Sequence, residues 1–138
     1  MKIDGELVGQ IVEHALERPD EEVCGVVAVS LDGGEASAVS VHRAHNVHES
    51  GLRFEIDPRE LLGLYSEIER QGLELGAIYH SHVRSAPYPS QTDINFAAGW
   101  PGVEWIIVGL ADPSAPDVRS YLIEGAAVTE QELQPSAA

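Results

Sequence analysis

Four polar residues that could do chemistry together stand close to one another in the sequence. His80 and His82 are two residues apart, and Ser90 and Asp93 follow them in the pattern His-x-His-x7-Ser-x-x-Asp. Residues two apart on a β-strand point to the same face, so a strand here would place both imidazoles side by side, and a following loop and helix can bring Asp93 over the strand end. Two neutral imidazoles and one carboxylate suit Zn²⁺ and leave a fourth tetrahedral position for water, as in catalytic zinc sites. The spacing therefore predicts a catalytic zinc site.

Each part of this cluster also has a purely structural explanation. A His-x-His pair on a strand occurs in packing and on surfaces without any metal. Ser-x-x-Asp at the start of a helix matches a capping box, with Ser90 as the N-cap and Asp93 at the third helical position. The two interpretations of Ser90 are compatible, because a capping serine can still direct its hydroxyl toward a substrate. The combination of the four residues, rather than any one of them, favours the metal site.

The hydrophobic pattern predicts the helices and strands that must position the cluster. Apolar residues at helical spacing predict helices over 6–18 and 58–71, and Ser90 begins a short third helix that ends near Gly99. Apolar runs and alternations predict strands over 23–31, 36–44, 54–56, 73–82, 103–110, 119–123 and 128–133. Helices mixed with strands and hairpins indicate an α/β or α+β domain with a mixed sheet.

Length and charge limit the class of protein. The 138 residues suffice for one domain, which we expect over 1–133, with a frayed tail over 134–138. The 23 acidic and 8 basic residues give a net charge of -15, which argues against nucleic acid or an anionic membrane as the partner. No apolar run approaches the roughly 20 residues of a membrane helix, and the first residues lack the core of a signal peptide. We therefore expect a soluble, cytoplasmic protein.

The remaining reactive or aromatic residues favour packing roles. The single cysteine, Cys24, excludes an intramolecular disulfide and a cysteine-rich zinc module, and we expect a buried thiol. Arg84, in the loop beside the cluster, is either a solvated side chain or a group that attracts a substrate carboxylate. Surface or packing roles are expected for His14, His42, His45, His48, Trp100 and Trp105.

The same residues carry a resemblance to a known family. Glu22-Val23-Cys24-Gly25, followed by His80-Ser81-His82, Ser90 and Asp93, resembles the signature of the JAMM (MPN-plus, Mov34/PAD-1-like) zinc metalloproteases, in which a distant glutamate precedes His-x-His-x7-Ser-x2-Asp. The resemblance extends over about residues 1–127. The compact length and the approach Ala86-Pro87-Tyr88-Pro89 to the serine are most similar to the small bacterial members of the CysO-cysteine peptidase type.

The resemblance implies a fold and a set of roles. The implied fold is a curved mixed β-sheet flanked by helices, similar to that of cytidine deaminase. One zinc per chain would be bound by His80, His82 and Asp93. Glu22 rather than its neighbour Glu21 matches the family glutamate, and it would act as the general base toward the attacking water. Ser90 would stabilise the oxyanion that forms at the scissile carbonyl.

The resemblance also implies a reaction. We expect a zinc-dependent peptidase or isopeptidase that hydrolyses the bond after the C-terminal Gly-Gly of a small ubiquitin-like or sulfur-carrier protein and releases cysteine or another small amine. One alternative is a general bacterial deconjugase similar to a deubiquitinase. Another is a catalytically inactive MPN scaffold, which predicts the loss of ligand residues, although all five key positions are present here. A zinc deaminase needs a Pro-Cys-x-x-Cys pattern that a single cysteine excludes, and the chain has no His-Glu-x-x-His zincin motif.

Overall fold

The computed structural model describes residues 1–135, which form three helices and eight strands. The helices are α1 (Gly5–Glu17), α2 (Pro58–Arg70) and α3 (Gln91–Ala97). The strands are β1 (Lys2–Ile3), β2 (Cys24–Asp32), β3 (Glu35–Ala44), β4 (Glu74–His82), β5 (Glu104–Gly109), β6 (Asp117–Glu124), β7 (Ala127–Gln131) and β8 (Gln134–Pro135). Within residues 1–135, no helix has the length and apolar character that crossing a membrane requires.

The strands form one mixed sheet in the order β7-β6-β5-β4-β2-β3-β1-β8. The central pair, β4 and β5, is parallel and is connected through α3, while β2 runs antiparallel to both β3 and β4. The sheet is curled, because the Met1 amine lies 3.3 Å from a Glu104 carboxylate oxygen although β1 and β5 are four positions apart in the sheet. A flat sheet would separate these strands by about 19 Å at a spacing of about 4.8 Å per strand. The fold class expected from the sequence, a curved mixed sheet flanked by helices, is confirmed.

Both faces of the central strands are buried. One face packs against α2 and α3, with Ile78, Trp105 and Ile107 among its core residues. The other face packs against α1, with Tyr79 and Ile106 among its core residues. Because side chains alternate along a strand, Ile78 and His80 point to the face of α2 and α3, and Tyr79 points to the face of α1. The candidate site therefore belongs to the face that the two later helices cover.

Local rules account for the ends of these elements. The β2–β3 hairpin turns at Gly33 and Gly34, which have φ of 62° and 82°, the positive values that a tight hairpin turn requires. α2 begins with Asp57 as its N-cap and ends in a Schellman motif, in which the Gly72 N–H bonds Glu69 O and the Leu73 N–H bonds Ile68 O. Gly72 has a φ of 76°, so the glycine that the sequence places after this helix is needed for its conformation.

The structure differs from the sequence-based expectations at three places, of which the first is the short strand β1, which was not predicted. The predicted strand over 54–56 is wrong: it contains only an isolated bridge between Ile56 and Asn46. The Asn46 side chain, rather than a neighbouring strand, bonds the Arg53 carbonyl and the Glu55 N–H. In the predicted frayed tail, Gln134 and Pro135 instead pair with β1 as β8, and residues 136–138 lie outside the described part of the chain.

Candidate metal centre

Three potential ligand atoms converge at the carboxyl end of β4. His80 Nε2 lies 3.1 Å from His82 Nε2 and 3.1 Å from Asp93 Oδ2, and the distance between His82 Nε2 and Asp93 Oδ2 is 3.4 Å. Bonds of about 2.0–2.1 Å to a tetrahedral Zn²⁺ place neighbouring ligand atoms about 3.3 Å apart. The observed triangle therefore has the dimensions of one face of a zinc coordination tetrahedron. All three side chains are buried.

The pKa shifts of His80 and Asp93 favour the neutral imidazole and the ionised carboxylate that a cation requires, whereas the shift of His82 favours the protonated imidazole, whose proton a metal ion must displace. The His82 Nδ1–H donates to the Ala86 carbonyl at 2.8 Å, so the lone pair of Nε2 is directed to the other two ligand atoms. Burial lowers the pKa of His80. Burial also opposes charge on His82, but hydrogen bonds to Asp93 and Ala86 outweigh it and raise the pKa of His82. The pKa of Asp93 falls well below its usual range, because its contacts with the two histidines and the Ser90 N–H outweigh the effect of burial.

His80 is held differently from His82. The Phe54 ring stacks on the His80 ring with a centroid distance of 4.4 Å and an interplanar angle of 24°. Within residues 1–135, the buried Nδ1 of His80 has no hydrogen-bond partner, whereas most metal-binding histidines donate from this second nitrogen. Stacking on Phe54, which the sequence analysis did not assign to the site, therefore fixes the orientation of this imidazole.

Asp93 is positioned by the capping box at the start of α3. The Ser90 N–H donates to Asp93 Oδ2 at 2.8 Å, and the Asp93 N–H donates to Ser90 Oγ at 3.1 Å. The structural interpretation of Ser-x-x-Asp as a capping box is thus confirmed. The capping box also holds Asp93 Oδ2, the oxygen that contacts both histidines. Ser90 uses only its oxygen as the cap, and its exposed hydroxyl hydrogen makes no bond within the described part of the chain. This hydrogen is free to donate to a bound molecule.

Glu22 lies beside the triad without touching it. Ligand atoms of Glu22, His80 and His82 all lie within 4.8 Å of one another. In the described range 1–135, however, no hydrogen bond or ion pair joins the Glu22 carboxylate to either histidine. Glu22 is 7% exposed, and burial, with a smaller contribution from Asp93, raises the pKa of its carboxyl to about 7. A separation of up to 4.8 Å between the Glu22 carboxylate and the two imidazole nitrogens is one that a single bridging water can span.

The backbone around Glu22 is held by two polar side chains to which the sequence analysis assigned no role. Asn46 is buried and donates through Nδ2 to the Glu22 carbonyl at 3.0 Å. Ser81, between the two histidines, accepts the Val23 N–H on its hydroxyl oxygen at 3.0 Å. The neighbouring Glu21 is half-buried and lies 3.6 Å from the Arg18 guanidinium, which distinguishes it from Glu22.

The other candidates from the sequence are not part of the converging cluster. Cys24 is fully buried opposite His80, and burial raises the pKa of its thiol to about 12, which confirms a buried structural thiol. Arg84 is exposed and makes no ion pair within residues 1–135, so both interpretations of it stay open. The remaining histidines have packing or surface roles: His14 bonds the Tyr79 hydroxyl, His42 bonds Ser40, His45 pairs with Glu49, and His48 pairs with Glu55. Trp105 is buried in the core and Trp100 packs against it, as expected.

With the geometry described, comparison with known proteins identifies the family. The model of the prokaryotic homologs of the JAB domain matches residues 5–124, and the chain therefore belongs to this family. The family is typically metal-dependent, in agreement with the ability of Glu22, His80 and His82 to surround a metal ion.

Two curated relatives are peptidases of protein conjugates by their names. The chain is 32% identical over 129 residues to the CysO-cysteine peptidase of Mycobacterium tuberculosis, and the aligned region covers 94% of this chain and 86% of that protein. It is 38% identical over 105 residues to a desampylase of Haloferax volcanii, and the aligned region covers 70% of this chain and 71% of that protein.

Two solved structures share the fold. A protein from Desulfitobacterium hafniense is similar over 99% of this chain and 93% of its own, with a TM-score of 0.86 and 27% identity. A JAB1/MPN domain protein from Archaeoglobus fulgidus is similar over 99% of this chain and 100% of its own, with a TM-score of 0.65 and 22% identity. The second likeness, at this level of identity, concerns the fold alone.

Proposed function

We propose that this chain is a zinc-dependent peptidase or isopeptidase that hydrolyses the amide bond after the C-terminal Gly-Gly of a small ubiquitin-like or sulfur-carrier protein. The observation that carries the proposal is the triangle of His80, His82 and Asp93 beside the buried Glu22. The names of the two relatives, both of which act on small protein conjugates, support the same reaction class. A cytoplasmic location stays a prediction from composition.

The proposed ligands are His80, His82 and Asp93, with one Zn²⁺ per chain. Asp93 is chosen over Glu22 because its oxygen directly contacts both imidazole nitrogens. When bound, zinc would supply a water of lowered pKa and would polarise the scissile carbonyl. The protein holds these ligands in place: the capping box orients Asp93, the Ala86 carbonyl orients His82, and the Phe54 ring orients His80.

Glu22 and Ser90 have the properties that proton transfer and charge stabilisation require. Glu22 would accept the proton of the attacking water and deliver it to the leaving amine, and a carboxyl with its pKa raised toward 7 is well matched to both steps. Ser90 would donate its free hydroxyl hydrogen to the developing oxyanion, where a fixed donor stabilises the transition state. The inactive-scaffold alternative is disfavoured, because all five residues are present and four of them converge.

The leaving group is proposed to be a single amino acid, with cysteine as the first candidate. The segments that flank the site, from His82 to Ser90 and from Gly109 to Asp117, are too short to form a second recognition lobe. The exposed Arg84 in the first of them suits a leaving group with a free carboxylate. The extended Gly-Gly tail would bind by backbone pairing beside the site, because small residues allow its close approach.

A second candidate is a general deconjugase that removes a ubiquitin-like modifier from lysine side chains. The similarity to a desampylase favours this alternative. It differs from the first candidate only in the leaving amine, so one assay can distinguish them.

The test is a mass measurement of carrier adducts after incubation with the zinc-loaded protein. A carrier ending in Gly-Gly-Cys should lose cysteine faster than diubiquitin of defined linkage is cleaved. Glu22→Gln should cleave both substrates about 10²–10⁴-fold more slowly. Efficient cleavage of lysine-linked conjugates with survival of every Gly-Gly-amino acid adduct would favour the deconjugase. Failure to cleave either substrate, with zinc bound, would contradict the proposed function.

A further inference from the structure

The loop from Val83 to Pro89 is fastened to the sheet beside the candidate metal centre. Within it, the Ala86 carbonyl accepts the hydrogen bond from His82 Nδ1, and the next carbonyl, that of Pro87, accepts a hydrogen bond from the Tyr121 hydroxyl. Tyr121 lies on β6 and is 5% exposed. The loop thus connects a buried tyrosine on one strand to a proposed zinc ligand on another.

The loop also packs against a glycine on the neighbouring strand. Gly109 ends β5 and is paired with His82 across the parallel strands. A Cβ at Gly109 would lie 2.8 Å from Pro87 Cδ and 3.1 Å from its Cβ and Cγ, so the proline ring can lie against the strand only because this residue has no side chain. The Tyr121 hydroxyl and the bare Gly109 backbone therefore hold Pro87 from two sides.

We propose that Tyr121 and Gly109 are positioning residues of the metal centre, which act through Pro87 to keep the Ala86 carbonyl against His82 Nδ1. This inference rests on the proposed function, because it assumes that His82 binds zinc through Nε2. The hydrogen bond to Ala86 determines which ring nitrogen carries the hydrogen and how the ring is oriented. A loop that shifts by a few tenths of an ångström would weaken that bond and rotate the ring away from the other two ligands.

Two substitutions test the two contacts separately. Tyr121→Phe removes only the hydroxyl, and Gly109→Ala adds only the methyl group that meets Pro87. Matched controls lie on α2: Tyr65→Phe, whose hydroxyl makes no hydrogen bond within residues 1–135, and Gly63→Ala, whose Cβ would meet no atom within 4 Å. The measured quantities are the zinc Kd, by competition with a chromophoric chelator, and the visible spectrum of the Co²⁺-substituted protein, which reports the ligand geometry.

Changes to the partners of metal ligands typically weaken metal binding by about 10–100-fold. We expect Tyr121→Phe to weaken zinc binding by about tenfold, the lower end of this range, because Tyr121 contacts the residue next to the partner of His82 rather than His82 itself. The Co²⁺ spectrum of this variant should also change, while both controls should match the wild type. The double variant should bind zinc more tightly than the product of the two single effects predicts, because both act on Pro87.

The inference is overturned if folded Tyr121→Phe protein binds zinc within about twofold of the wild type and has an unchanged Co²⁺ spectrum. That outcome would leave the proposed function intact, since the wild type would still bind zinc and cleave its substrate. If Gly109→Ala does not fold, Tyr121→Phe decides alone. A wild-type chain that binds no zinc would overturn the proposed function and this inference together.

Discussion

Replacing Glu22 by glutamine separates the proposed proton transfer from metal binding. Glutamine keeps the size of the side chain and a carbonyl oxygen, but it cannot accept the proton. Within residues 1–135 the Glu22 carboxylate makes no hydrogen bond to a histidine, and its backbone is held through its own N–H and carbonyl. The substitution therefore breaks no contact that the structure relies on, and one zinc per chain should remain bound.

The expected loss is confined to turnover. General acid–base catalysis contributes about 10²–10⁴-fold to a rate, or about 3–5 kcal/mol of transition-state stabilisation. Turnover of the Gly-Gly-Cys carrier by Glu22→Gln should fall by a factor in this range. The stability of the folded state should not fall, because the side chain is 7% exposed and an uncharged amide costs less to bury there than a carboxylate whose pKa burial raises to about 7.

The assay combines elemental analysis, mass measurement of the carrier and urea denaturation on one preparation. Glu21→Gln is the matched control: it neutralises the adjacent acid, and its weak surface pair with Arg18 is worth well under about 1 kcal/mol. Near-normal turnover by Glu22→Gln with zinc bound would refute the assignment of Glu22 as the base. Loss of zinc together with activity would instead indicate that Glu22 is a ligand.

Three further results are expected. His80→Ala and Asp93→Ala should each lose most bound zinc by elemental analysis, and full occupancy in both would contradict the proposed ligand set. The wild type stripped with chelator should still unfold cooperatively in urea, because 43% hydrophobic residues build cores on both faces of the sheet. Burial and the nearby Arg43 lower the pKa of His14 to about 4. As the pH falls below about 6.5, the unfolded chain therefore binds a proton on His14, whereas the native state does not. His14 alone should therefore contribute a loss of stability of about 2 kcal/mol as pH falls from 7 to 4.5. The total loss should be smaller by about this amount in His14→Gln, whose amide can still bond the Tyr79 hydroxyl, and equal losses in both proteins would contradict this.

The parts of the site that depend on local rules could be predicted from the sequence. Strand alternation alone places His80 and His82 on one face, and the capping box alone places Asp93 against Ser90. Glu22 is different, because it reaches the histidines only through the antiparallel register that sets Cys24 opposite His80. No local pattern contains that register, and the family resemblance was needed to select Glu22 over Glu21.

The sequence analysis missed two kinds of residue. Some contact partners that are far away in the sequence, and others bond the backbone with a side chain where a neighbouring strand was expected. Tyr121 is 34 residues from the carbonyl it bonds, and nothing in its own surroundings in the sequence distinguishes it from a core tyrosine. Asn46 lies outside every strand that the sequence predicts, yet its amide replaces the strand partner that residues 54–56 were expected to have. β1 and β8 have two residues each, which is too short for any period to be detected.

The distribution of the acidic residues is a separate argument for the site. The chain has 23 of them, all within residues 1–135, and only Glu22 and Asp93 are buried there. Their environments act in opposite directions: burial raises the pKa of Glu22 to about 7, whereas the imidazoles and the Ser90 N–H hold that of Asp93 far below its usual range. Two neighbouring carboxyls with divergent pKa values are what a base and a permanently ionised partner require. A fold that needed these residues only for stability would have no reason to bury two acids together, since each buried carboxylate costs free energy unless it is compensated.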